Sequence, residues 1–213
     1  MNIITEFYTQ GLEQWPKTGQ HILAHQTSEQ IVVYQAYKKS IANFAVANQF
    51  LGGPEYSYNR MSWIKPNFLW MMYRCGWAAK ENQESVLALW IDKADFESIL
   101  NEAVISSFNP QYHERHDQWR ADLEQKAVRM QWDPDHDAYG NKQECRAIQL
   151  GLKDDVLKNF GKKQIRKIED VTEFVKEQKQ LLDAGKLNEL QVPVERVYRI
   201  GNEGLNKRIG LDF

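Results

Sequence analysis

The sequence predicts an α+β fold in a single domain, 1–213, with a mixed or antiparallel central sheet flanked by helices. Segments typical of strands and segments with helical spacing alternate along the chain, but without a regular strand–helix–strand period. The chain has 213 residues, of which 42% are hydrophobic and 26% are charged. This length and composition are those of one globular domain with a sizeable core.

The N-terminal half contains four predicted elements after an irregular segment, 1–29, which glycine and proline interrupt. β-branched and aromatic residues predict a buried strand at 31–37, and apolar residues at helical spacing predict a helix at 38–50. Pro66 favours a first helical turn, so a second helix is predicted from there to about Arg74. The apolar run from Ser85 to Ile91 predicts another strand.

The C-terminal half continues the same mixture of alternating and helically spaced segments. We expect a polar, loosely held tail from Glu203 onward. The other predicted elements, in chain order, are a helix from Asp92 or Lys93 through Val104, strands at 126–132 and 146–152, a helix at 154–160, a strand at 165–168 and a helix at 171–185.

Charge and composition exclude several functional classes. The formal net charge is −2 and the sequence pI is about 6.2, so a dedicated nonspecific nucleic-acid binder is not expected. The two cysteines, Cys75 and Cys145, have no metal or redox spacing, which favours a reduced, cytoplasmic setting. There is no signal-peptide pattern and no apolar run of about 18 residues, so no membrane association is predicted.

The central segment 60–77 is the most distinctive part of the chain. It contains three Trp, three Met and three cations, Arg60, Lys65 and Arg74, but no carboxylate. Because an unpaired buried charge is costly, the segment is either a core helix whose cations reach the surface or the floor of an anion-binding pocket. Residues 68–72 are predicted to build the core. Arg60, Ser62 and Lys65 precede the helix and are the ligand-binding candidates, whereas Arg74 fits either role.

Two polar residues interrupt otherwise apolar predicted strands. Gln35 follows Tyr34 in the first strand, and Gln149 lies within 146–152. Buried polar groups require hydrogen-bonding partners, so these side chains either face solvent or line a cleft.

The common catalytic and metal-binding signatures are absent. There is no GxGxxG, phosphate-binding Walker loop, nucleophile elbow or HExxH. The acidic loop 133–144 resembles a calcium loop, but Ala138 occupies the position of the required glycine. His113 and His116 supply two imidazoles, fewer than zinc requires, so no metal site is predicted.

The chain resembles the family catalogued as domain of unknown function 4291. The resemblance covers roughly residues 32–199 and implies a single domain, but no established activity. The motifs that carry it are VYQAY at 33–37, RMSWIKPNFLWMMYRCGW at 60–77, VRMQWDP at 128–134, RAIQLGL at 146–152 and PVER at 193–196.

A second comparison, at the level of fold analogy, is to ADP-ribosyltransferases. Tyr34-Gln35-Ala36 is similar in form to their first core motif, with Gln35 where His or Arg is usual, and Ser62 would match their second. The comparison implies NAD as a cofactor and a catalytic carboxylate near a late strand, where Glu144 and Gln149 are the local candidates.

Two functional hypotheses follow. The first is an enzyme that handles a nucleotide or NAD, with Glu144 and Gln149 as catalytic candidates that orient a ribose. The second is a noncatalytic module that binds nucleic acid or a protein through the same basic and aromatic surface. The ligand-binding candidates, which would hold phosphates, stack a base or line the cleft, are Tyr34, Gln35, Arg60, Ser62, Trp63, Lys65 and Arg74.

Overall fold

The computed structural model describes residues 2–212 and confirms the α+β class. The strands are β1 (Thr5–Phe7), β2 (Gly19–Gln20), β3 (Leu23–Ala24), β4 (Gln30–Tyr37), β5 (Ser62–Ile64), β6 (Ser85–Asp92), β7 (Ala103–Ile105), β8 (Val128–His136), β9 (Lys142–Leu152), β10 (Ile165–Asp170), β11 (Gln191–Pro193) and β12 (Arg196–Val197). The helices are α1 (Tyr8–Gln14), α2 (Lys39–Asn48), α3 (Phe68–Cys75), α4 (Lys93–Asn101), α5 (His116–Gln125), α6 (Asp154–Asn159), α7 (Thr172–Asp183) and α8 (Glu203–Ile209), and a π-helical turn, Phe160–Gln164, follows α6.

An antiparallel sheet of three strands, β10-β6-β4, lies at the centre, and its strands β4 and β6 are buried on both faces. Successive side chains of a strand point to opposite faces. Val33 of β4 and Leu89 of β6 therefore join a first core with α2 and α4, whereas Val32 and Ala88 join a second core with α3 and α7. This two-sided burial explains why the strands read as nearly continuous apolar runs.

A second, mixed sheet completes the first core. Its long hairpin pairs β8 with β9 antiparallel, and β7 adds to β8 in parallel. On the other edge of β9, β2 pairs near one end and β5 pairs near the other. Met130 and Leu150 of this sheet belong to the same buried cluster as Val33 and Leu89 of the central sheet.

Helix α3 is the apolar half of the central segment. The Asn67 side chain caps it by accepting a hydrogen bond from the Trp70 amide at 2.6 Å, and Gly76 ends it in the left-handed conformation at φ 57°. Residues 68–72 are all buried, which confirms them as core. Just before the helix, a main-chain bridge between Lys65 and Tyr34 holds the preceding segment against β4.

Three expectations about the fold were wrong. Residues 1–29 are not irregular, because β1, α1, β2 and β3 form there through pairing with distant partners such as Thr5 with Pro193. Val104 lies in β7 and not in a helix. The tail from Glu203 is not loose: it forms α8, which buries Leu205 and Ile209 in the first core.

Within residues 2–212, no helix has the length and apolar character needed to cross a membrane.

Candidate functional site

A cleft of about 810 Å³ opens where β4 ends and β5 begins. Its lining includes Tyr56 and Arg60 of the loop before β5, Arg74 of α3 and Gln149 of β9. Seven of the residues predicted from the sequence line this cleft: Gln35, Arg60, Ser62, Trp63, Lys65, Arg74 and Gln149.

Tyr34 is not in the cleft. Its side chain is fully buried, and its ring packs edge-on against Phe68 with 5.6 Å between the ring centroids. Since Tyr34 and Gln35 are neighbours in β4, they must point to opposite faces of the sheet. Tyr34 therefore cannot stack a ligand base there, and burial raises the pKa of its hydroxyl well above the usual range.

Glu144 is also distant from the cleft. It is exposed on β9 and borders a second cavity of about 370 Å³ with Cys145. Glu144 and Gln149 are five residues apart in β9, about 17 Å in extended chain, and Glu144 lies where the β8–β9 register is irregular. The two catalytic candidates do not converge, and of the two only Gln149 borders the cleft.

Lys65 is the most unusual residue of the cleft. Its side chain is only 6% exposed, yet within residues 2–212 its Nζ has no hydrogen-bonding or ion-pair partner. Burial, followed by the charge of Arg74, lowers the pKa of Lys65 to about 8, while Cys75 and Asp133 act in the opposite direction. An amine in this state lacks the counter-charge that a buried ammonium normally requires.

The floor of the cleft is a hydrogen-bonded cluster of Gln35, Tyr37 and Ser62. Gln35 Nε2 donates to Ser62 Oγ at 2.7 Å and to the Trp63 carbonyl at 3.2 Å. The Tyr37 hydroxyl donates to Gln35 Oε1 at 2.9 Å and lies 3.1 Å from Ser62 Oγ. Because each amide atom of Gln35 is bonded, this cluster holds the start of β5 against β4.

Gln149 presents an acceptor to the cleft. Gln149 Nε2 donates to Gln131 Oε1 at 2.8 Å and to Asp133 Oδ2 at 2.6 Å. Both bonds use the amide nitrogen, so Gln149 Oε1 has no donor within residues 2–212 and remains available to a ligand hydroxyl or amide.

The absence of a side chain at Gly151 leaves space for the Trp63 ring beside β9. The two residues are paired in register between β5 and β9. A Cβ on Gly151 would lie 2.6 Å from Met61 Sδ and 3.0 Å from the Trp63 ring. Only glycine therefore admits both cleft-lining side chains at this point of the strand.

Cations without carboxylate partners surround the opening. Arg60 and Arg74 are exposed and have no ion-pair partner within residues 2–212, although the Arg74 guanidinium lies 5.8 Å from the centroid of the Trp70 ring. Glu55 lines the cleft, but it is paired with Lys38 at 2.9 Å and accepts a hydrogen bond from Ser40. The cleft is therefore cationic overall.

Sequence reasoning missed Tyr37, Tyr56, Lys38 and Gln131 as cleft residues. Tyr37 had a usable signal, because it is two residues from Gln35 in a strand and must share its face. Tyr56 packs edge-on to Tyr37 at 5.9 Å, and its loop carries no periodic pattern. Gln131 faces Gln149 through the β8–β9 register, which only the fold specifies.

Two buried carboxyl groups lie outside the cleft, near the start of α3. Glu195 is 1% exposed, and its Oε1 accepts the Phe68 amide at 2.8 Å. Burial raises the pKa of Glu195 well above its usual range and raises that of Asp135 to about 6. Asn67 Nδ2 donates to Asp135 at 3.2 Å, so both groups are tied to the helix that supports the cleft.

The comparisons with known proteins place the cleft inside a defined family region. No curated protein matches the chain. The family model described as Domain of unknown function (DUF4291) matches residues 21–198 of the 213, a range that contains every residue lining the cleft. The chain belongs to this family.

Proposed function

We propose that the chain binds a nucleotide, or another phosphate-bearing ligand of similar size, in the cleft. The observation that carries this proposal is the buried Lys65 amine, which borders the cleft and has no ion-pair partner in the described part of the chain, 2–212. A ligand phosphate would supply the missing negative charge and would accept hydrogen bonds from the ammonium.

The charge of the cleft supports an anionic ligand. Arg60, Lys65 and Arg74 all border it, and the carboxylate of Glu55 is already neutralised by Lys38. Arginine side chains suit phosphate because their planar donors bind two oxygens at once. Cations collected on one concave surface also raise the local concentration of an anionic ligand.

The size and the remaining groups suit a nucleoside portion. Binding clefts for small molecules enclose about 300–1,000 Å³, and this cleft lies within that range at about 810 Å³. Trp63, Tyr37 and Tyr56 supply aromatic surface for a base, and Gln149 Oε1 supplies an acceptor for a ribose hydroxyl.

A more specific form of this proposal is that the ligand is NAD and that the reaction is ADP-ribosyl transfer. ADP-ribosyl transfer requires a carboxylate against the nicotinamide ribose. Glu144 borders the second cavity and not the cleft, and Glu55 is engaged by Lys38 and Ser40. The cleft therefore supports nucleotide binding more strongly than it supports the transfer reaction.

The proposal can be tested by thermal unfolding with NAD, ADP and inorganic pyrophosphate at millimolar concentrations. A ligand at 100 times its Kd stabilises the folded state by about 2.7 kcal/mol, which corresponds to a rise in Tm of roughly 5–10 °C for a chain of this length. Arg60→Ala should abolish the rise by removing one cation of the cleft.

Glu144→Gln is the matched control, because it changes a charged residue outside the cleft and should leave the Tm shift intact. The absence of a shift with all three ligands would contradict the proposal. Binding of single-stranded nucleic acid with a steep salt dependence, and no response to mononucleotides, would instead support the noncatalytic alternative.

A further inference from the structure

We propose that Lys65 is a nucleophilic amine that forms a Schiff base with a carbonyl group of a phosphorylated aldehyde or ketone bound in the cleft. This inference rests on the proposed function for the recognition of the phosphate, but it assigns to the cleft a covalent step that nucleotide binding does not require.

The geometry removes the Lys65 amine from the water and the carboxylates that stabilise the charged form of an ordinary lysine. Lys65 follows β5 directly, and its main chain is hydrogen-bonded to Tyr34 at 2.7 and 3.2 Å. The backbone is thus fixed, the side chain is 6% exposed, and the Nζ has no carboxylate partner within residues 2–212. The remaining open direction for the amine is the cleft itself.

The surroundings of Lys65 make the neutral form of its amine more populated than in an exposed lysine. The charged and titratable groups that act on it are Arg74 and Cys75 from α3 and Asp133 from β8. Burial and the Arg74 guanidinium outweigh the other two and lower the pKa of Lys65 to about 8. Relative to the usual lysine value of 10.5, this raises the unprotonated fraction at pH 7 by roughly 300-fold. Desolvation beside a second cation is a recognised way to activate a lysine.

Other cations remain to hold the phosphate of the same ligand. Arg60 and Arg74 border the cleft and have no carboxylate partner within residues 2–212, so Lys65 does not have to stay charged for an anion to bind. The Ser62 hydroxyl, fixed by Gln35, lines the same cleft and could donate to the carbonyl oxygen.

The proposed step balances without a further reactant. The unprotonated Nζ adds to the carbonyl carbon, and the C=O bond is replaced by C=N. The carbonyl oxygen leaves as water and takes the two hydrogens of the amine. Water reverses the reaction, whereas borohydride reduces the C=N bond to a stable secondary amine.

Pyridoxal 5′-phosphate is a suitable probe, because it combines an aldehyde with a phosphate. The full chain would be treated with this probe at pH 7, reduced with borohydride and mapped by peptide mass spectrometry. Lys65 should be labelled at least about tenfold faster than Lys38, which lines the same cleft but is paired with Glu55. The labelling rate should reach half its maximum near pH 8.

Lys65→Arg keeps the positive charge and should lose the label at this position, whereas Glu144→Gln, which changes a residue outside the cleft, should keep it. Labelling confined to exposed lysines, or a labelling rate for Lys65 that is half-maximal near pH 10.5, would overturn the inference. ADP should slow the labelling of wild-type Lys65 by competing for the same cations. Rapid labelling of Lys65 that ADP does not slow would support the reactive amine and count against the proposed nucleotide site.

Discussion

The main chains of Tyr34 and Lys65 are hydrogen-bonded in both directions, with N–O distances of 2.7 Å from the Tyr34 amide and 3.2 Å from the Lys65 amide. This isolated bridge joins the central sheet to the segment that precedes α3. The two side chains lie in different surroundings, since Tyr34 packs in the second core and Lys65 borders the cleft. The bridge therefore attaches the cationic cleft directly to the most buried strand pair.

Replacing Lys65 by methionine should stabilise the protein at pH 7. The substitution removes an unpaired buried amine and keeps a flexible apolar chain of similar length. A hydrophobic replacement of a buried charge often stabilises, and we expect a gain of about 1–3 kcal/mol in the free energy of unfolding measured in urea. Lys38→Met removes a half-exposed, paired lysine of the same cleft and should change stability much less. A destabilised Lys65→Met protein would show that the amine has a stabilising partner.

The stability of the wild-type protein should depend on pH through Lys65. Its pKa is about 8 in the folded state and close to 10.5 when unfolded, so between these values the unfolded chain binds more protons. The free energy of unfolding should then rise as pH increases, by about 2 kcal/mol between pH 7 and pH 9.5.

Lys65→Met supplies the reference for that pH series. The wild-type and variant proteins share every other titrating cysteine and tyrosine, so the difference between their free energies of unfolding isolates Lys65. A difference that stays constant from pH 7 to pH 9.5 would contradict the lowered pKa.

Tyr34→Phe and Tyr37→Phe should differ, although both tyrosines lie in β4. The Tyr34 hydroxyl is buried and has no partner among residues 2–212, so its removal should change the free energy of unfolding by less than about 0.5 kcal/mol or stabilise slightly. The Tyr37 hydroxyl donates to Gln35 Oε1, and its removal should cost about 1–2 kcal/mol by leaving that buried oxygen unbonded. Urea unfolding of the two variants measures both values, and equal losses would contradict this assignment of the two faces.

Glu195→Gln should be tolerated, whereas Glu195→Ala should destabilise by about 1–3 kcal/mol. Both glutamate and glutamine can accept the Phe68 amide, but alanine leaves that buried N–H without an acceptor at the start of α3. The raised pKa of Glu195 favours a neutral carboxyl, which glutamine resembles. Urea unfolding compares the variants, and a large loss in Glu195→Gln would indicate that the ionised form is required.

The parts of the fold that local pattern determines could be predicted from the sequence. β-branched residues predict strand β4, and helical spacing predicts the helix α2 that follows it. The apolar composition of residues 68–72 predicts their burial in the core. The N-terminal elements could not be predicted, because β1 exists through pairing with Pro193 and its neighbours far along the chain. The helix after Glu203 did carry a signal, since Leu205 and Ile209 are four residues apart.

The cleft could be predicted only in part. Polar residues inside apolar strands and unpaired cations before α3 pointed to Gln35, Gln149 and Lys65, and the structure brings all three to one cavity. The choice of Tyr34 over Tyr37 neglected the alternation of side chains within a strand. Glu144 was chosen as a carboxylate near a late strand, but it borders the second cavity and not the cleft.

The alternation along β4 also makes strand register a functional property. A one-residue slip of β4 against β6 would carry Tyr34 to the cleft face and force Gln35 and Tyr37 among the apolar side chains of the second core. Such a slip would leave the Gln35 amide buried without Ser62 and remove the floor of the cleft. The register that buries the hydrophobic residues of β4 is therefore the same register that forms the binding site. A chain that folds with the wrong register loses core stability and ligand recognition together.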